Sequence, residues 1–206
     1  MKLTSLLAAL VATFVLTTFA HADDEWQTLF DGKSLDGWKI NENEKAWSVE
    51  DGAIKAHGDR SHLFYVGDDK PFKNFHFTAN VMTKPNSNAG IFIHTKFQKD
   101  GWPAHGYECQ VNNTYNVDPQ KTGGLYNTVR VEKAPAEDNK WFKYEIIVEG
   151  KHIQVLIDGK KVVDYTEPDG KEGTVKLSPE GGAFALQAHD PKSVVYFKDI
   201  KVKRLK

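Results

Sequence analysis

Phe142-Lys143-Tyr144-Glu145-Ile146-Ile147-Val148-Glu149-Gly150-Lys151-His152-Ile153-Gln154-Val155-Leu156-Ile157-Asp158-Gly159-Lys160-Lys161-Val162-Val163-Asp164-Tyr165 is the stretch that decides the fold. It is rich in β-branched and aromatic residues, and its apolar and polar positions alternate with the period of a strand whose successive side chains point to opposite faces. Glu149-Gly150-Lys151 interrupts the first run. Asp158-Gly159 is a tight hairpin pair, because both of its positions must take φ > 0, which Gly adopts freely and Asp tolerates. The stretch therefore predicts a meander with strands over Phe142 to Glu149, Ile153 to Asp158 and Lys161 to Tyr165.

Outward from there the same period recurs over Phe75 to Thr83, Ala89 to Phe97, Tyr107 to Asn112, Ala183 to His189 and Val194 to Arg204. Gly, Asp and Asn turns separate these runs, and no long 3.6-residue apolar period appears after residue 22. An alternating strand has one apolar face that needs a second sheet to cover it, so the expected architecture is an all-β sandwich of two sheets. No repeat or linker divides residues 23–206, which read as one domain. Asn112 to Lys140 lacks periodicity and holds Asn, Asp, Pro and Gly. It reads as long loops over one mouth of the sandwich, where function often resides.

Met1-Lys2, a charge-free run from Leu3 to Ala20 and the small-residue site Ala20-His21-Ala22 read as a secretory signal over residues 1–22, cleaved before Asp23. The expected location is periplasmic or secreted, with no membrane attachment after cleavage. The chain has 27 basic and 28 acidic residues, a formal net charge of −1. This near-neutrality argues against nucleic acid or anionic lipid as a partner and leaves room for a neutral polar ligand. Cys109 is the single cysteine, so no intramolecular disulfide can form. Its place between Tyr107 and Val111 on one strand face marks it as buried filler rather than a nucleophile.

The chemistry-bearing residues fall on particular strand faces. In Tyr107 to Asn112 the set Glu108, Gln110 and Asn112 opposes Tyr107, Cys109 and Val111. In Phe184 to His189, Gln187 and His189 oppose Phe184, Leu186 and Ala188; in Gly90 to Lys96, Phe92 and His94 oppose Ile91, Ile93 and Thr95. Solvated faces of antiparallel sheets are common, and they favour Lys, Glu and Thr. Amides beside Glu108 and His189 instead offer the directional donors and acceptors that hydroxyl-rich ligands need. A concave sugar-binding face is one reading, and a merely solvated face is the other.

Leu29-Phe30-Asp31-Gly32-Lys33-Ser34-Leu35-Asp36-Gly37-Trp38, Asn88-Ala89-Gly90-Ile91-Phe92, Gly106-Tyr107-Glu108-Cys109-Gln110, Gly124-Leu125-Tyr126, Ala185-Leu186-Gln187-Ala188-His189 and Phe197-Lys198-Asp199-Ile200-Lys201-Val202 occur in this order. Together they resemble the 3-keto-disaccharide hydrolase domain family over nearly all of the chain after residue 22. The resemblance implies a two-sheet jelly-roll β-sandwich of the concanavalin A-like lectin/glucanase type, exported in bacteria. It also implies cleavage of glycosides already oxidised to a ketone at sugar carbon 3. Such a ketone acidifies the C2 proton, so a base, an acid for the leaving oxygen and a donor or metal for the enolate oxygen suffice.

On that footing Glu108 and His189 are the acid/base candidates. Gln110 and Gln187 would orient hydroxyls, with His94 and Asn88 beside them and Trp102 and Tyr126 as stacking platforms. The alternative is a non-catalytic carbohydrate-binding domain using the same face. Jelly-roll glucanases usually carry Glu-x-Asp-x-x-Glu on one strand; here Glu108-Cys109-Gln110-Val111-Asn112-Asn113 has amides in place of the later acids, which disfavours conventional retaining hydrolysis. The chain departs from the family pattern at Ala89, where Ser is usual, at Phe142, where Asn is usual, and at Asp190, where Gly usually follows the histidine. No His-x-x-x-His, cysteine-pair or EF-hand motif occurs. That leaves a convergence of His94, His105, Glu108 and His189 as the candidate divalent-metal site, of a kind that suits zinc or manganese, and calcium at loop aspartates unassigned.

Overall fold

The computed structural model describes residues 25–206, so the signal reading of residues 1–22 lies outside the described residues. The described chain forms two antiparallel sheets and one single-turn 3-10 helix, Glu44–Ala46. The strands are β1 (Gln27–Thr28), β2 (Trp38–Ile40), β3 (Trp47–Glu50), β4 (Ala53–Ala56), β5 (Ser61–Tyr65), β6 (Phe75–Thr83), β7 (Ala89–Thr95), β8 (Tyr107–Val111), β9 (Phe142–Glu149), β10 (His152–Ile157), β11 (Lys160–Thr166), β12 (Ala183–Ala188) and β13 (Val195–Arg204). One sheet runs β11-β10-β9-β6-β13-β4-β3, with β1 against β13; the other runs β2-β5-β12-β7-β8. This is the expected all-β, two-sheet jelly-roll sandwich.

The meander is present as β9, β10 and β11, and its turn takes the positive φ that the hairpin requires, 48° at Asp158 and 76° at Gly159. In β6 the alternation is strict: Phe75, Phe77, Ala79, Val81 and Thr83 are buried and the residues between them are half-exposed. On β13 a bulge between Lys198 and Lys201, with Asp199 at φ 53°, shifts the side-chain parity so that Phe197 and Ile200 both reach the core. Asn80 Nδ2 donates to Asp199 Oδ2 at 2.7 Å and pins that bulge.

The two inner faces meet on Phe184 of β12. Its ring lies 4.8 Å from Phe72, 4.9 Å from Phe75 and 4.8 Å from Phe77, tilted or edge-on, the arrangement in which aromatic quadrupoles attract. Cys109 is fully buried in the same core, as its strand face required. Ala89 and Phe142 are core residues as well. These two departures from the family pattern therefore change the packing between the sheets and leave the opposite face of the second sheet untouched.

The second sheet differs from the first in being buried on both sides. β5 and β7 are buried at every position, although only one of their faces looks into the sandwich. Loops cover part of the other face, and the uncovered remainder of that face forms a cleft.

Candidate active site

Strand alternation places Phe92 of β7, Glu108 and Gln110 of β8, Gln187 of β12 and His189 just beyond it on the open face of the second sheet. With Asn88, Trp102 and Tyr126 they line a cleft of about 280 Å³. Seven of the eight candidate residues are thus brought together. His94 is the exception and corrects the sequence reading. Its backbone lies at φ 52° beside a register shift between β12 and β7, so the alternation that carried it to the face of Phe92 fails there. Its ring instead meets the Lys73 carbonyl at 2.9 Å through Nε2 and accepts the Ser178 backbone N–H at 3.1 Å through Nδ1. His94 is a structural histidine, and burial holds its pKa below the usual value.

The proposed metal convergence fails as well. His94 and His105 line a separate depression of about 430 Å³, away from the cleft that Glu108 and His189 share. Among the described residues no group of three or more His, Cys, Asp or Glu side chains is arranged to hold a metal ion.

Glu108 is the electrostatic centre of the cleft. Burial pushes its carboxyl pKa up from 4.5 to about 8, and the charge of Asp118 adds to the rise, against the opposing effect of a 3.0 Å hydrogen bond from Gln187 Nε2 to Glu108 Oε1. Below about pH 8 it holds a proton and can donate it. The strand beneath is firmly paired on both edges. β7 lies on one side, and on the other Gly123 and Tyr126 donate their backbone N–H to the carbonyls of Gln110 and Glu108, each at 2.9 Å.

Room for the Glu108 side chain comes from Gly90. A Cβ there would stand 2.5 Å from Glu108 Oε1 and 2.8 Å from its Cγ, too close for any real contact. The clash falls on side-chain atoms of Glu108 rather than on backbone, so Gly90→Ala is expected to leave the fold intact and to expel the carboxyl from its position. A misplacement of about 1 Å can cost roughly 10²-fold in rate. Thermal melts within a few degrees of wild type together with a loss of that order in kcat/KM would establish the role; unchanged kinetics would refute it.

His189 presents a different arrangement. Its Nδ1 meets Asp190 Oδ2 at 2.9 Å. Burial alone would raise the Asp190 pKa, but hydrogen bonds from Ser193 and His189 and from the Lys192 backbone outweigh it and hold the carboxyl ionised. An ionised partner assigns the proton to Nδ1 and leaves Nε2 as the basic nitrogen. The ring lies between Trp102, with centroids 5.3 Å apart, and Tyr115, at 5.8 Å. Asp190, a departure from the family pattern, is therefore the group that orients His189.

The remaining polar groups come from β8 and the loop after it. Gln110 Nε2 donates to Asn88 Oδ1 at 2.8 Å, while Gln110 Oε1 is buried without a partner. Asn112 is fully buried; its Nδ2 donates to the carbonyls of Tyr115, Asp118 and Gln120 and its Oδ1 accepts from the Tyr115 N–H. One amide thus folds the loop that carries Asp118 and Asn127 to the cleft. Residue-by-residue reading did not single out Asp118, although the stretch holding it stood out as aperiodic.

The profile of the family described as 3-keto-alpha-glucoside-1,2-lyase-like domain matches residues 25–203. A relative from Bacteroides thetaiotaomicron named 3-keto-disaccharide hydrolase is 32% identical over 78 residues. The match spans 34% of this chain and 27% of that relative's length. A crystal structure from Parabacteroides distasonis, named as a candidate glycosyl hydrolase, superposes with a TM-score of 0.71 at 26% identity and covers 93% of this chain and 99% of its own. The carbohydrate-binding module CBM66 from Bacillus subtilis, at 15% identity and a TM-score of 0.58, covers 81% of this chain and 95% of its own, and shares the fold.

Proposed function

The chain belongs to the 3-keto-alpha-glucoside-1,2-lyase-like domain family, and from that premise we propose that it is a carbohydrate-active, glycosyl-hydrolase-like protein that cleaves 3-keto-glycosides. The observation that carries the proposal is the pairing, in one cleft, of a carboxyl that keeps its proton to about pH 8 with a histidine whose Nδ1 is held by Asp190 and whose Nε2 is left to accept a proton. A proton donor and a proton acceptor in one cleft are what acid/base division of labour requires.

In the proposed reaction His189 Nε2 takes the C2 proton of the 3-keto sugar. The C2–H electrons form the C2–C3 enolate, and the negative charge passes to the C3 oxygen. The enolate then collapses, the C1–C2 double bond forms and the C1–O bond breaks, while Glu108 gives its proton to the departing oxygen. Water adding across the double bond, with the two groups in exchanged roles, completes a net hydrolysis. The amides Gln110 and Asn88 support the reading as hydroxyl-orienting groups, and Trp102 and Tyr126 offer aromatic faces to the ring's C–H surface.

The test is to incubate the protein in D₂O with trehalose and with 3-keto-trehalose. Release of glucose from the keto form alone, with deuterium entering at C2, is the expected result. Cleavage of unoxidised trehalose without C2 exchange would point to ordinary glycoside hydrolysis. Binding without turnover of either sugar would make the protein a carbohydrate-binding module.

A further inference from the structure

The cleft is small for the ligand its family suggests. Pockets for organic ligands typically run from about 300 to 1,000 Å³, and the cleft here, at about 280 Å³, falls just below that range. Room and polar contacts for a second ring must come from elsewhere on the same face.

The next strand of the sheet supplies them. His62 of β5 faces Gln187 of β12 in the antiparallel register, so the two side chains stand on the same face, one strand spacing apart. His62 is fully buried, and neither ring nitrogen has a hydrogen-bond partner. Gln187 is 1% exposed, and its Oε1 is equally unpartnered, since only its Nε2 is engaged, by Glu108. Asn41 accepts the His62 backbone N–H at 2.7 Å through Oδ1, and its Nδ2 is a further buried orphan.

Buried polar groups left unsatisfied are destabilising, so native proteins seldom retain several side by side without a use for them. Here two donors or acceptors on His62, one acceptor on Gln187 and one donor on Asn41 form a contiguous row leading from Glu108. Their mixture of donors and acceptors is that of a surface for sugar hydroxyls, each of which both gives and takes a hydrogen bond. Burial keeps the imidazole neutral, so it offers one donor and one acceptor.

Trp102 covers the row. Its ring lies 5.5 Å from His62, edge-on, and 5.3 Å from His189, while 45% of the residue is exposed. Gln98 ties the loop that carries it into a unit, donating to the carbonyls of Asp100 and Trp102 and accepting from the Ala104 N–H. These bonds lie within the loop, so the second subsite proposed below requires the indole to move with it.

We propose that the cleft continues beneath Trp102 into a second subsite, floored by His62, Gln187 and Asn41, which takes the second ring of a disaccharide. The assignment of which ring reacts rests on the function proposed above; the existence of the subsite does not.

Two measurements test it. His62→Phe keeps an aromatic ring beside Phe92 and Trp102 and removes both nitrogens. With 3-keto-trehalose and methyl 3-keto-α-glucoside as two-ring and one-ring substrates, the ratio of their KM values is expected to rise at least ~10-fold in the variant, the scale of one lost hydrogen-bonding group. An equal change for both substrates, or none for either, would overturn the subsite. Independently of turnover and of the variant's folding, the ring ¹⁵N resonances of His62 in the wild type are expected to shift on adding unoxidised trehalose and to stay fixed with methyl α-glucoside. No shift with trehalose, at concentrations where calorimetry shows it bound, would also overturn the proposal. A wild type inert toward both keto substrates that still shows the ¹⁵N shift would sink the proposed reaction and leave the subsite standing.

Discussion

Glu108→Gln is expected to lower kcat on a 3-keto-glycoside by about 10² to 10⁴-fold, the usual contribution of a positioned general acid. The amide is isosteric and keeps an acceptor for Gln187 Nε2, so the loss reports the proton rather than the packing. The pH dependence supplies the sign. If Glu108 acts as the acid, wild-type kcat/KM falls as pH rises through about 8, and this alkaline limb vanishes from the residual activity of the variant. Stability should move with it. In the unfolded chain the carboxyl releases its proton near 4.5, whereas the folded protein holds it to about 8. Between those values the unfolded state binds fewer protons, so folding stability declines with rising pH and levels off above 8. Urea titrations at pH 4.5, 6 and 8.5 should show that this part of the decline is absent in Glu108→Gln. An unchanged rate in the variant, or a slope that persists, would remove Glu108 from the acid's role.

His189→Ala is the second large effect, again about 10² to 10⁴-fold, because it removes the base that takes the C2 proton. Its signature is separate: deuterium exchange at C2 of a 3-keto sugar should collapse in His189→Ala. In Glu108→Gln exchange should persist even though cleavage is slow, since proton abstraction precedes departure of the leaving group. Asp190→Asn belongs beside it as the positioning variant. It keeps the size of the side chain but loses the charge that fixes the proton on Nδ1, so exchange should fall less than in His189→Ala while melting changes little. Were C2 exchange to survive His189→Ala at the wild-type rate, the base would be another group, and Asp118, the other carboxylate lining the cleft, would be the next to replace.

The departures of this chain from the family pattern have unequal consequences. Ala89 and Phe142 lie in the core between the sheets. Trp141, beside Phe142, is exposed and lies 4.2 Å from the Lys198 ammonium, on the first sheet and away from the cleft. Asp190 alone touches a candidate acid/base group.

The alternation of β8 and β12, by itself, determined that Glu108, Gln110, Gln187 and His189 share the face opposite Tyr107, Cys109, Phe184 and Leu186. Side-chain direction in an undistorted strand follows from parity alone. Composition and turn chemistry likewise determined the two-sheet class, since Asp158-Gly159 and the runs around it admit few other structures. Three matters were decided by tertiary structure. His94 left its expected face because a positive φ at a register shift breaks parity, and such a shift has no sign in a run as regular as Ile91 to Thr95. His62 was invisible because β5 is buried on both faces, so Ser61-His62-Leu63-Phe64-Tyr65 has no alternation to read. Asp118 reached the cleft through Asn112, whose buried amide gathers three loop carbonyls. Strand parity is a local property of the backbone and can be read from the chain. Which loop covers a face, and which buried polar group is left for a ligand, depends on contacts between segments far apart in sequence.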